Sequence, residues 1–195
     1  MEQVSEYYGS IRDWTARVDI QSGSSRMTGS VMSLGPNFLR IDFSSPAEQV
    51  IIYNGESLMI YLPWERAILN QPVSSQNTGA NLATARGLSL LRRNYIPAFV
   101  TGPNPVPIDE GSSEMVIKLR LARRSVSEGF QEIILDISPS SKLIRRITGR
   151  TVTDTTVRFD FSGVRTNVGI PEDRFDFDAP PTTNMYNNFL FKDTE

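Results

Sequence analysis

Residues 14–20 alternate strictly. Trp14, Ala16, Val18 and Ile20 are apolar and Thr15, Arg17 and Asp19 polar, the period of a strand with one dry face. The cluster Gln21-Ser22-Gly23-Ser24-Ser25 signals a turn, and residues 27–34 read as the next strand, stopped by Gly35-Pro36-Asn37. Leu39, Ile41 and Phe43 then share a face, with Arg40 and Asp42 on the other. Ser44-Ser45-Pro46 ends that strand, because proline has no N–H to give a ladder. Residues 49–53 and 56–62 flank Asn54-Gly55, a pair suited to the positive φ angles of a type I′ turn, so a hairpin is predicted there. Residues 67–73 make a further short strand.

Residues 74–81 read as loop, and the period changes after them. Leu88, Leu91 and Tyr95 fall on one helical stripe, flanked by Arg86, Arg92 and Arg93, which predicts a helix within 81–99. Asn77 or Thr78 suits its N-cap, and Pro97 limits it. After an irregular stretch at 102–107, four long strands are expected at 114–123, 130–137, 143–152 and 155–164. Pro171-Glu172-Asp173 suits one helical turn, with proline first and acids near the N-terminus. Phe175-Asp176-Phe177 reads as the start of a last short strand. Val4, Tyr7 and Tyr8 are spaced as one face of a short N-terminal helix. The sum is ten to eleven strands in hairpin order, an antiparallel meander that twists and partly or fully closes.

Two runs resist the alternating rule. In Val50-Ile51-Ile52-Tyr53 and Leu58-Met59-Ile60-Tyr61-Leu62 neither face is polar. Two readings stay open for them. One face meets the sheet core and the other meets the helix at 81–99, or that helix is a lid over an apolar cavity of the kind small barrels enclose. Met27, Met32 and Met59 suit either reading, since thioethers fill irregular gaps.

Composition narrows the chemistry. The 195 residues fit one domain, treated as 1–195 with the helical insertion near 79–99. There is no cysteine and no histidine, which removes thiolate nucleophiles, disulfides, Cys-based zinc sites and the commonest general base. A net charge of −2 gives no electrostatic case for nucleic acid. No apolar run is long enough for a membrane helix, and Glu2-Gln3-Val4 after Met1 is not a leader sequence. Glu172, Asp173, Asp176 and Asp178 are the one acidic group close enough to suggest paired-carboxylate catalysis. Phe175 and Phe177 alternate with them as on an ordinary edge strand, so no enzyme is expected. No glycine-rich phosphate loop is present.

The ordered pieces resemble the periplasmic lipoprotein carrier family, LolA, and its wider superfamily. They are Leu34-Gly35-Pro36-Asn37-Phe38-Leu39-Arg40-Ile41-Asp42-Phe43-Ser44-Ser45-Pro46, then Tyr53-Asn54-Gly55-Glu56-Ser57-Leu58-Met59-Ile60-Tyr61, and the closing Ile170-Pro171-Glu172-Asp173-Arg174-Phe175-Asp176-Phe177-Asp178-Ala179-Pro180-Pro181. The resemblance implies a mainly β fold, an open antiparallel half-barrel of about eleven strands covered by helices, without cofactor, metal or covalent chemistry. It implies a monomer of the periplasm, its leader absent from this chain, or a form anchored as a lipoprotein. The implied ligands are the acyl chains of lipoproteins or other lipids, and the implied partners are inner- and outer-membrane lipoprotein-sorting proteins. The alternative within the superfamily is a sensor or receptor that binds protein or senses lipid without carrying it. The family places an arginine latch where this chain has Gly35, so the latch does not transfer. The residues expected to line an acyl cavity are Val18, Val31, Leu39, Ile41, Ile52, Leu58, Ile60 and Ile68 from strands, and Leu88, Leu91 and Phe99 from the lid.

Overall fold

The alternating runs become strands of one sheet. The structure, a computed structural model, describes residues 2–72 and 85–189. Helix α1 (Glu2–Ser10) is followed by β1 (Asp13–Ser22), β2 (Ser25–Leu34), β3 (Phe38–Ser45), β4 (Ala47–Asn54), β5 (Ser57–Leu62) and β6 (Ala67–Pro72). Helix α2 (Ala85–Asn94) leads into β7 (Tyr95–Phe99), β8 (Val106–Pro107), β9 (Met115–Arg123), β10 (Phe130–Ile137), β11 (Ile144–Thr151) and β12 (Thr156–Thr166). A single 3-10 turn, Glu172–Phe175, precedes β13 (Asn184–Asn187).

The strand order is β13-β6-β5-β4-β3-β2-β1-β12-β11-β10-β9-β7, with β8 paired to β9, thirteen strands in all among the described residues. Two antiparallel meanders meet where β1 pairs β12, and the sheet stays open between β13 and β7. This is the mainly β, open half-barrel with a helical cover that the sequence led us to expect.

Partner residues across an antiparallel ladder point to one side, so register sorts the faces. Ala16, Val31, Ile41, Ile51, Ile60 and Leu69 are successive partners from β1 to β6 on the inner face, the one the helices cover. On that face Leu88 and Leu91 of α2 join Val4 and Tyr8 of α1 over Val18, Leu121, Ile133 and Leu135, all buried in one cluster. The core therefore lies over β1 and β9–β12.

The outer face is dry on only one wing. Val50, Ile52 and Ile68 point outward from β4 and β6 and are nonetheless buried. Their cover is the chain's own tail. Phe175, 2% exposed, packs on Phe38 with ring centroids 5.2 Å apart, and Phe177 packs on Tyr61 at 5.0 Å. Arg40 fastens it: one guanidinium nitrogen donates to the carbonyl oxygens of Arg174 (2.8 Å) and Asp176 (3.2 Å) while the others donate to Asp42. The outer face of β9–β12 instead carries ion pairs, with Lys118 on Asp136 at 3.0 Å and Arg146 between Asp109 and Asp160.

Several local expectations are corrected. The helix stops at Asn94 and residues 95–99 form β7 on β9. Pro97 cannot continue a helix and biases Ile96 toward extended backbone, while the end of a sheet tolerates its missing N–H. The hairpin at Asn54-Gly55 forms, but only Gly55 has positive φ (92°). Asn54 Oδ1 accepts the N–H groups of Glu56 and Ser57 at 3.1 and 2.9 Å, a side-chain-capped turn instead of type I′. Phe175 to Phe177 does not join a ladder, because both rings drop onto the sheet's outer face; the last strand is β13, which runs parallel to β6. The expected caps Asn77 and Thr78, the loop at 74–81, Val73 and residues 79–84 of the expected lid lie outside the described residues.

Gly29 shows how close β2 and β3 come. A Cβ there would collide with the carbonyl oxygen of Asp42 and sit 3.0 Å from the Cα of Phe43. Gly29→Ala must push backbone apart, and we expect a loss of about 1–3 kcal/mol. An unchanged urea midpoint would show that the ladder yields there freely.

Candidate functional site

The inner face of β3–β6 is less covered than most of that face. Over β1 and β9–β11 most apolar side chains are buried under α1 and α2, while Val157, Phe159 and Phe161 of β12 are partly buried against the same cluster. On the wing, Leu39, Ile41, Ile51, Leu58, Ile60 and Leu69 are only half-buried. Each faces inward through its register, Leu39 opposite Tyr53 and Leu58, Ile41 opposite Ile51 and Ile60. Their outer-facing neighbours are the ones beneath the tail. The double apolarity of Val50–Tyr53 thus has two causes: one face is covered by the protein itself, and the other is an apolar surface only partly covered.

A pocket of about 300 Å³ opens at the end of α1, lined by Tyr8, Ile11, Arg12, Trp14, Ser33 and Gly35. Trp14 and Ser33 are ladder partners, and Ser33 is the partner of Leu39. Pocket and wing are therefore consecutive on one face. The pocket's polar groups are occupied within the protein. The Tyr8 hydroxyl accepts the Ile144 N–H at 3.0 Å, and burial pushes its phenol up to about 12, so it stays neutral at physiological pH. Ser33 Oγ donates to the Phe38 carbonyl at 2.9 Å. Asp13, wholly buried, accepts the N–H groups of Val168 (2.6 Å) and Gly169 (3.1 Å) and so ties the tail's first turn to β1. The N–H of Gly35 donates to the Arg12 carbonyl at 2.8 Å, and a Cβ at position 35 would lie 3.4 Å from that oxygen. The glycine leaves the rim of the pocket without a side chain.

The structure divides the residues expected to line a cavity. Leu39, Ile41, Leu58 and Ile60 come together on the inner wing. Val18, Val31, Leu88 and Leu91 are inner-face residues sealed in the core, at most 3% exposed. Ile52 and Ile68 point the other way, under the tail, because each lies one residue out of phase with the inner row. Phe99 belongs to β7, not to the lid; it stands opposite Leu119 at the far end of the sheet and is 52% exposed. Sequence reasoning missed Ile51 and Leu69, and the pocket residues Tyr8, Ile11 and Trp14. The ladder partners of Ile41 and Ile60 would have pointed to the first two.

Among the described residues there is no group of three or more carboxylates placed to hold a metal. What the site offers is apolar surface, partly roofed, with its polar atoms already satisfied.

The chain belongs to the LolA family: the family model described as outer membrane lipoprotein carrier protein LolA matches residues 19–178. No curated protein sequence matches the chain. Solved structures share the fold at low identity. An uncharacterized conserved protein from Thermus thermophilus is 13% identical, with a TM-score of 0.62, over 95% of this chain and 98% of that one. The Pseudomonas aeruginosa MucA/MucB complex includes a chain 13% identical with a TM-score of 0.52, matched over 91% of this chain and 62% of its own length. The Mycobacterium tuberculosis lipoprotein LppX is 9% identical with a TM-score of 0.50, over 88% of this chain and 95% of its own.

Proposed function

We propose that the protein binds the acyl chains of lipids or lipoproteins in the periplasm, without catalysis, and hands them on as a carrier. The observation that carries this reading is the half-buried aliphatic inner face of β3–β6, continuous with the pocket at the end of α1. Membership in the LolA family supports it. Each methylene removed from water is worth about 0.8 kcal/mol, so a fully enclosed chain of roughly 16 carbons would gain on the order of 12 kcal/mol and leave slowly. A wing covered on one side only captures part of that, which suits loading and release. Lipoprotein-sorting proteins of the inner and outer membranes are the partners this role calls for.

A second reading has its own observation. β7 ends the sheet opposite the wing, with Ile96 and Phe99 each about half exposed (50% and 52%), and a sheet end of that kind accepts an added peptide strand. MucB, which shares the fold, is named in complex with MucA. Native mass spectrometry of protein expressed in a Gram-negative periplasm separates the two. Co-purified fatty acid or phospholipid, displaced by added palmitate, is the expected result. A bare protein mass that palmitate does not shift would overturn the carrier reading.

A further inference from the structure

We infer a second binding site, for a phosphate-type oxyanion, in a groove of about 790 Å³ on the outer face where β12, β1 and β2 meet. It lies on the opposite side of the sheet from the acyl wing and is independent of it.

The groove exists because of a bulge. Along β1–β12 the register passes from Thr15↔Arg165 to Arg17↔Ser162, so Gly163 and Val164 together oppose Ala16. Gly163 has φ +60°, the left-handed conformation that a glycine bulge requires. The extra residue resets the alternation. Val164 turns inward to pack against the core, and Arg165 turns outward beside Arg17. Without it, the two would exchange faces.

The two arginines are also set apart by their lack of partners. On the same outer face Arg26 is held by Asp19, Arg40 by Asp42, Arg146 by Asp109 and Asp160, and Arg158 by Asp160. Arg17 and Arg165 have no ion pair among the described residues. The carboxylates that stand near them in the ladder, Asp19, Asp42 and Asp160, are already engaged by those neighbours. The groove is lined as well by the exposed residues Ser30 and Ser162. An oxyanion there takes hydrogen bonds from their hydroxyls and from both guanidinium groups, whose fork suits phosphate oxygens.

The ligand class is a phosphate group, free or carried on a lipid headgroup. The test is calorimetric titration of the full chain with inorganic phosphate in one arm and a short-chain phosphatidylglycerol below its micellar concentration in the other. Arg17→Gln and Arg165→Gln are compared with Arg124→Gln, an exposed arginine outside the groove. Saturable binding that weakens about tenfold or more in each groove variant, and is unchanged in R124Q, is the expected result. Binding in the first arm assigns the free anion, and binding in the second arm alone assigns the headgroup. Absence of saturable binding in both arms, or equal affinity in all three variants, overturns the site. Matching melting curves establish that the variants fold, and R17K and R165K, which keep charge but lose the fork, should fall between.

Discussion

Ile60→Asn is expected to weaken binding of a fluorescent fatty acid about tenfold, while lowering stability by only about 1 kcal/mol. The argument rests on where the side chain's surface goes. Ile60 lies in the inner row between Ile51 and Leu69, half-buried. Fully burying an isoleucine is worth about 1.5–3 kcal/mol, and the protein's own contacts supply only part of that. The remainder is available to a ligand, and a loss of about 1.4 kcal/mol is a factor of ten in affinity. Ile52 provides the contrast. It faces outward, is 2% exposed, and serves the protein alone. Ile52→Ala should cost about 2–5 kcal/mol of stability, and the protein that remains folded should bind the probe as before. Probe titrations and urea melts on the two variants decide the matter. Equal affinity for Ile60→Asn and the parent would remove the wing from the site.

Phe175→Ala should be the most damaging single truncation in the tail. The ring is buried against Phe38 and covers the outer face at β3 and β4. Removing a buried phenylalanine costs about 3–5 kcal/mol. Here the loss should also loosen Phe177 and the Arg40 contacts, which together with the β13–β6 ladder attach the segment to the sheet. Limited proteolysis should then cut within 176–187 well before the barrel strands. A loss below about 1 kcal/mol with an unaltered cleavage pattern would mean that the tail is held by something other than its aromatic anchors.

These two cases also show how far the sequence could be read. The long strands were legible because one of their faces is polar; 130–137 was placed to the residue and 114–123 to within one. The stripe of Leu88 and Leu91 gave the helix correctly, because both face one core. Tyr95 continued that stripe by spacing alone, although Pro97 had already committed the chain to extended backbone. Where both faces of a strand are apolar, periodicity carries no information about direction. Ile51 and Ile52 are the same residue side by side, and only their ladder partners reveal that one faces the wing and the other the tail. Phe175 and Phe177 have the spacing of a strand, but what covers a sheet face is decided by the tail's path back across β3 and β4. The bulge at Gly163 was equally hidden, since a single inserted residue is silent until two strands are paired.

The contact of Arg40 with the tail has a consequence for drift among related chains. Its donors meet main-chain oxygens of residues 174 and 176, which every amino acid carries. The grip is blind to side-chain identity, so those two positions are free to vary, while substitutions at Arg40, Phe175 and Phe177 are the ones selection should purge.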